Sequence, residues 1–209
     1  MTAQSVRTIG FARYRKHPDA NTEALVDACR TWRHDFLDQQ PGILAHRLLG
    51  NLHGHFADVI MAESRESFES MAKAHPEAPS SKTMFALLDP SSIVLRTNDI
   101  LGGELPVPTD FSCVEYGTFS PKADRALTDT EVIEASAEVE RDYLSRHADG
   151  RGHVVARVDT QTYAEIAFVR TLGSARAICG GYVDDPACAN LLGLFDPDSV
   201  DLDFWYVLA

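Results

Sequence analysis

Six of the eight histidines lie in the first half of the chain: His17, His34, His46, His53, His55 and His75. Only His147 and His153 follow. Imidazole changes charge near neutrality and is a good ligand for metals, so such a cluster could hold a metal, bind heme or exchange protons at a pocket mouth. His53-Gly54-His55 has the i, i+2 spacing that puts both side chains on one side of an extended segment, which suits a divalent metal. The plainer alternative is a set of solvated loop histidines, and His17-Pro18 has ordinary turn chemistry. Two acids, Asp58 and Glu165, sit inside the apolar runs Phe56-Ala57-Asp58-Val59 and Tyr163-Ala164-Glu165-Ile166. A buried carboxylate must be paired or must serve as a proton acceptor. Asp58 or His75 could therefore be the base, with Tyr14 or Arg13 as donor, or Asp58 could be half of an ion pair with Arg13, Arg47 or Arg157.

The elements that carry these residues repeat. Shifted by 107 positions, Phe36-Leu37 falls on Tyr143-Leu144, His46 on His153, Asp58 on Glu165, and the run from Leu87 to Ser92 on that from Leu194 to Ser199. The first strand matches at an offset of 105. Each copy reads β-α-β-β-α-β. Strands are expected near Thr8–Arg15, Ile43–Leu52 and Phe56–Glu63, and again near Ser112–Phe119, Gly152–Asp159 and Tyr163–Arg170. The first helix has an apolar face at Leu25, Cys29, Trp32 and Phe36, and in the second copy at Val132, Ser136, Val139 and Tyr143. Asn21 and Thr128 are the matching N-caps, and Thr128 with Glu131 forms a capping box. The second helix is expected to start near Ser64 or Ser174 and to break before Pro76 or Pro186. Phe11 and Phe68 are expected to line the helix–sheet space with Trp32 and Phe36. His46 and His153, kept in both copies, suggest packing or a shared hydrogen bond.

The order βαββαβ is the ferredoxin-like arrangement. One copy leaves a sheet face bare, and here that face is apolar: Val59 and Met61, then Ile166 and Phe168. The expected fold class is therefore α+β, two tandem ferredoxin-like units forming one intrachain α/β barrel, a pseudo-dimer within one chain. The first unit is expected over 1–101, a Gly- and Pro-rich linker over 102–110, and the second unit over 111–209. In this topology His17, His53, His55 and His75 reach one end of the first unit, which is therefore expected to hold the polar pocket while the second serves as scaffold.

The architecture resembles the dimeric α/β barrel superfamily in tandem form. The stretch from Val59 to His75, with Glu63-Ser64-Arg65-Glu66-Ser67-Phe68 and the terminal Ala74-His75, resembles the third strand and second helix of the antibiotic biosynthesis monooxygenase family. The family's usual Trp at the strand end is Ala62 here, and Met71 lies near the slot of a second Trp. The resemblance implies a ligand cavity between sheet and helices and a substrate that activates oxygen without a cofactor. It implies one cofactor position: His75 matches the heme-ligating histidine of the heme-degrading members. The second copy has Gly181-Tyr182 there.

A formal charge of −12 and no basic stripe argue against nucleic acid. No apolar run is long enough to span a membrane, and the first residues, from Met1 to Arg7, have no apolar signal core, so the sequence reads as cytoplasmic. Cys29, Cys113, Cys179 and Cys188 contain no CxxC pair and suit buried thiols. No phosphate loop, nucleophile elbow or HExxH is present. The expected function is that of a monooxygenase-like enzyme acting on a small aromatic or polyketide-like substrate without a cofactor. The alternatives are a heme- or metal-binding protein using His75 with His53 or His55, and a non-catalytic ligand-binding barrel. A further homodimer is compatible with the sequence.

Overall fold

A computed structural model describes residues 4–209; Met1–Ala3 of the expected first unit lie outside the described residues. The first copy comprises β1 (Thr8–Tyr14), α1 (Thr22–Asp35), β2 (Ile43–Gly50), β3 (Phe56–Ala62), α2 (Arg65–Ala74), α3 (Pro79–Phe85) and β4 (Val94–Ile100). The second comprises β5 (Cys113–Phe119), α4 (Asp129–Asp142), β6 (Gly150–Arg157), β7 (Tyr163–Val169), α5 (Leu172–Gly181), α6 (Ala189–Leu194) and β8 (Asp201–Val207). The α+β class and the repeated βαββαβ order are those expected. Hydrogen bonding joins the eight strands in the closed order β8-β2-β3-β1-β4-β6-β7-β5, an antiparallel barrel.

Two compact units result, one running to Thr97 and including Val207–Ala209, the other Asn98–Tyr206. In the first, the chain's last residues bond to β2: Leu208 donates to the Leu48 carbonyl and Leu48 to that of Ala209, both at 2.8 Å. In the second, the tail of β4 pairs with β6, Asp99 opposite Arg157 and Ile100 opposite Ala156.

Local chemistry explains the helix ends. Asn21 Oδ1 accepts from the Glu23 amide at 2.7 Å, and Thr128 with Glu131 closes the expected capping box. The second helix of the second copy starts earlier than its sequence suggests. Thr171, not Ser174, is the cap: its hydroxyl accepts from the Ser174 amide, which makes Ser174 the third helical residue.

Each unit packs its helices on one sheet face. In the first, Leu25, Cys29, Trp32 and Phe36 of α1 and Phe68 and Met71 of α2 cluster with Tyr14, Leu48, Phe56 and Ile60. In the second, Val132, Val139 and Tyr143 of α4 and Ile178 of α5 cluster with Cys113, Phe119, Val155 and Tyr163. Phe11 is a correction: it pairs with Val59, so strand alternation puts it on the face away from the helices. Val59, Met61, Ile166 and Phe168 are fully buried or nearly so.

Candidate functional site

The register places a histidine and an acid diagonally on the helix-facing side of each sheet. Leu48 lies opposite Asp58 and Val155 opposite Glu165, so His46 and His153, two residues earlier, reach those carboxylates across the strand pair. The outcome is the shared hydrogen bond that the repeat suggested. His46 Nε2 donates to Asp58 Oδ1 at 2.8 Å, and His153 Nε2 donates to Glu165 Oε1 at 2.7 Å.

The surroundings of the two pairs differ. In the first unit Tyr14 donates from β1 to Asp58 Oδ2 at 2.9 Å, and the Cys29 thiol of α1 lies 3.6 Å from Oδ1 and 4.0 Å from His46 Nε2. The His46 and Asp58 side chains are 2% and 4% exposed. Burial, then the Asp58 charge, push the Tyr14 hydroxyl and the Cys29 thiol up from their ordinary ranges. Two buried atoms here, His46 Nδ1 and Trp32 Nε1, have no hydrogen-bond partner.

The other residues singled out in the sequence lie apart from this group. Arg13 pairs in register with Ala57 and so projects from the face opposite Asp58; the acid's ion-pair partner is His46 rather than an arginine. Arg157 bonds to Asp129 and Tyr163 in the second unit. His75 lies just past α2, its ring 5.0 Å from that of Trp32, 5.8 Å from Phe36 and 4.9 Å from Phe85, and burial lowers its pKa. His53 and His55 are exposed on the β2–β3 hairpin, where Asn51 Oδ1 accepts from both their backbone amides. Among the described residues, the group whose donor atoms could converge on a metal is Cys29, His46 and Asp58, not the hairpin histidines.

In the second unit His153 is held between two carboxylates. Nδ1 donates to Glu140 Oε1 on α4 at 3.1 Å while Nε2 donates to Glu165. Tyr182, at the position matching His75, donates its hydroxyl to the same Glu165 oxygen at 2.7 Å. Burial alone would lower the imidazole, but the bonds to Glu140 and Glu165 and their charges outweigh it and raise His153 to about 9. Glu165 is likewise pushed up by burial, yet the bond from His153 brings it below its ordinary value. A further acid, Glu115 of β5, was missed in the sequence. It is 9% exposed, and burial followed by the charge of Glu165 raises it to about 7. Its strand position matches Gly10 in the first copy, which gave no sign of an acid.

A cleft of about 530 Å³ opens beside His153. The chain from Ile100 to Pro106 forms one wall and Ile133, Ala137 and Glu140 of α4 another, with His153, Val155 and Ile178 among the remaining lining residues. Gly102 adopts φ +75°, and a Cβ there would come within 2.7 Å of Ile133, so glycine lets this wall turn close over α4. The polar pocket expected in the first unit thus has its counterpart in the second.

No family model and no curated protein matches the chain. Solved structures do. The chain aligns over its full length with a candidate monooxygenase of Fusobacterium nucleatum subsp. nucleatum, covering 94% of that chain at 10% identity and a TM-score of 0.64. An anthrone oxidase-like protein matches over 100% of this chain and 94% of its own, at 13% identity and a TM-score of 0.60. A heme-binding protein from Thermus thermophilus matches over 100% and 95%, at 10% identity and a TM-score of 0.60. The shared property is the fold.

Three aromatic rings pack around His75, the position that the resemblance matched to a heme-ligating histidine. In the cleft both His153 nitrogens are engaged, and Glu104 and Glu140 line it together with His153.

Proposed function

We propose that the chain is a monooxygenase-type enzyme that binds a small aromatic or enolisable compound in the second-unit cleft and holds it there as an anion. One observation carries this reading: an imidazole bonded to two carboxylates, Glu140 and Glu165, with Tyr182 fixing Glu165 in turn, at the edge of the cleft. The His153 side chain is 7% exposed, whereas Glu140, bonded to its outer nitrogen, is 51% exposed and free to turn. A substrate hydroxyl taking the place of Glu140 would stand at Nδ1. The displaced carboxylate accepts the proton, and the imidazolium stabilises the oxyanion that forms. The electron-rich anion is then the species that meets dioxygen. A net acidic rim disfavours carboxylate-rich ligands and suits neutral phenols or enols.

Asp58 fits the role of base less well. Its oxygens are covered by His46, Tyr14 and Cys29, and it is buried among them. The fold neighbours support the oxidative direction but not the substrate.

The test is oxygen uptake with a panel of polycyclic phenols and enolisable polycyclic ketones, anthrone among the latter, without added cofactor. Glu140→Gln and His153→Gln should each lower turnover by about 10²-fold or more. Uptake that survives both substitutions would place the chemistry elsewhere.

A further inference from the structure

We propose that Cys29, His46 and Asp58 form a binding site for one divalent ion of the zinc type inside the first unit. The three donors come from three elements, α1, β2 and β3, and are of three chemical kinds. Their ligand atoms all lie within 4.8 Å of one another, and all three residues are buried. A tetrahedral zinc ion with ordinary bond lengths would set its sulfur about 3.6 Å from the nitrogen and oxygen, and those two about 3.3 Å apart. The corresponding separations here are 4.0, 3.6 and 2.8 Å, so each need change by about half an ångström or less. His46 and Asp58 must part, and Cys29 must close on His46, to admit the ion.

The surroundings suit such a site. Tyr14 donates to the other oxygen of Asp58 and so orients the carboxylate from behind, as outer partners of metal ligands do. Polar capacity is left unfilled beside the cluster: Trp32 Nε1 and His46 Nδ1 are buried without partners, their rings 5.1 Å apart. A three-donor site keeps a fourth position for water. The second unit repeats the histidine and the acid but has Ser136 in place of Cys29, which removes the thiolate, so the stoichiometry is one ion per chain. Binding converts the Cys29 thiol to thiolate and releases its proton to solvent, and the neutral His46 ring carries its proton on Nδ1, the nitrogen without a partner, so that Nε2 can ligate.

Cobalt(II) is the probe. The full chain, dialysed against chelator, should develop a thiolate-to-cobalt charge-transfer band and four-coordinate visible bands at one equivalent of cobalt, and zinc should abolish both. Cys29→Ser should remove the charge-transfer band, and Cys179→Ser in the second unit should retain it. Asp58→Asn keeps the thiol and should weaken cobalt binding by at least about tenfold; it serves if Cys29→Ser does not fold, as judged by circular dichroism. No charge-transfer band in the wild type, a band that persists in Cys29→Ser, or unchanged affinity in Asp58→Asn would each overturn the assignment.

Discussion

Glu115 is a buried acid whose protonation should set a measurable part of the pH dependence of stability. Its folded pKa of about 7 stands above the ordinary glutamate value of 4.5, because burial and then the Glu165 charge oppose its ionisation. A raised acid favours the folded state most below the unfolded pKa, and that contribution is lost as pH rises through the folded one. The window is therefore about pH 4.5 to 7. With these two values, ionisation of Glu115 costs under about 1 kcal/mol of stability at pH 5 and about 3 kcal/mol at pH 8. Glu115→Gln keeps the size and removes the charge. It should stabilise the protein by about 3 kcal/mol at pH 8, or about 6–12 °C in thermal midpoint for a chain of this length, and by under about 1 kcal/mol at pH 5. Urea denaturation of both proteins at the two pH values measures the difference. A gain equal at both, or a loss at pH 8, would refute the burial argument.

His153 carries the opposite charge, yet its contribution also falls as pH rises, over a higher window. Its folded value of about 9 exceeds the ordinary 6.5, so its contribution is full below pH 6.5 and fades as pH rises through 9. Urea midpoints of the wild type should fall across that range more steeply than those of His153→Gln. In the first unit, Gly10→Ala would place a Cβ 2.1 and 2.4 Å from two ring carbons of Phe68, and should cost about 1–3 kcal/mol. Adding Phe68→Ala should remove that clash, so a double mutant cycle with no coupling would show that the contact is not limiting.

Much of the fold could be read from the repeat because it rests on periodicity. The repeated element order, the paired N-caps and the matched positions of the histidines and acids follow from counting, whereas the bond between each histidine and its acid does not: the sequence offers arginines as partners of Asp58. Phe11 shows how narrow the margin is: it lies one residue from Ala12, which opposes Asp58, and that single step puts it on the other side of the sheet. The site was less legible. Cys29 reads as one apolar position in a helical stripe, and only the approach of α1 to β2 and β3 brings its thiol to His46 and Asp58. The cleft depends on the course of Ile100–Pro106 over α4, which Gly and Pro mark as a linker without saying where it goes. The histidine count pointed to the first unit, but His53 and His55 are exposed, and number is no measure of convergence.

The two copies also show how one frame can diverge without losing its packing. In the first, the Phe68 ring fills the space over Gly10, so no side chain can rise from that strand position. In the second, the residue matching Phe68 is Ala175, fully buried, and the strand position is Glu115. Bulk has moved from helix to strand, and an aromatic ring has been replaced by a carboxylate. That substitution brings a second acid near Glu165, which raises Glu115, while His153 and Tyr182 hold Glu165 ionised. Meanwhile Cys29, at the slot of Ser136, gives the first copy a soft donor that the second lacks. The same histidine–acid pair is thus surrounded by proton-exchanging groups and an open cleft in one copy, and by a closed set of metal-type donors in the other. The small exchanges around the conserved pair, rather than the pair itself, separate the two sites.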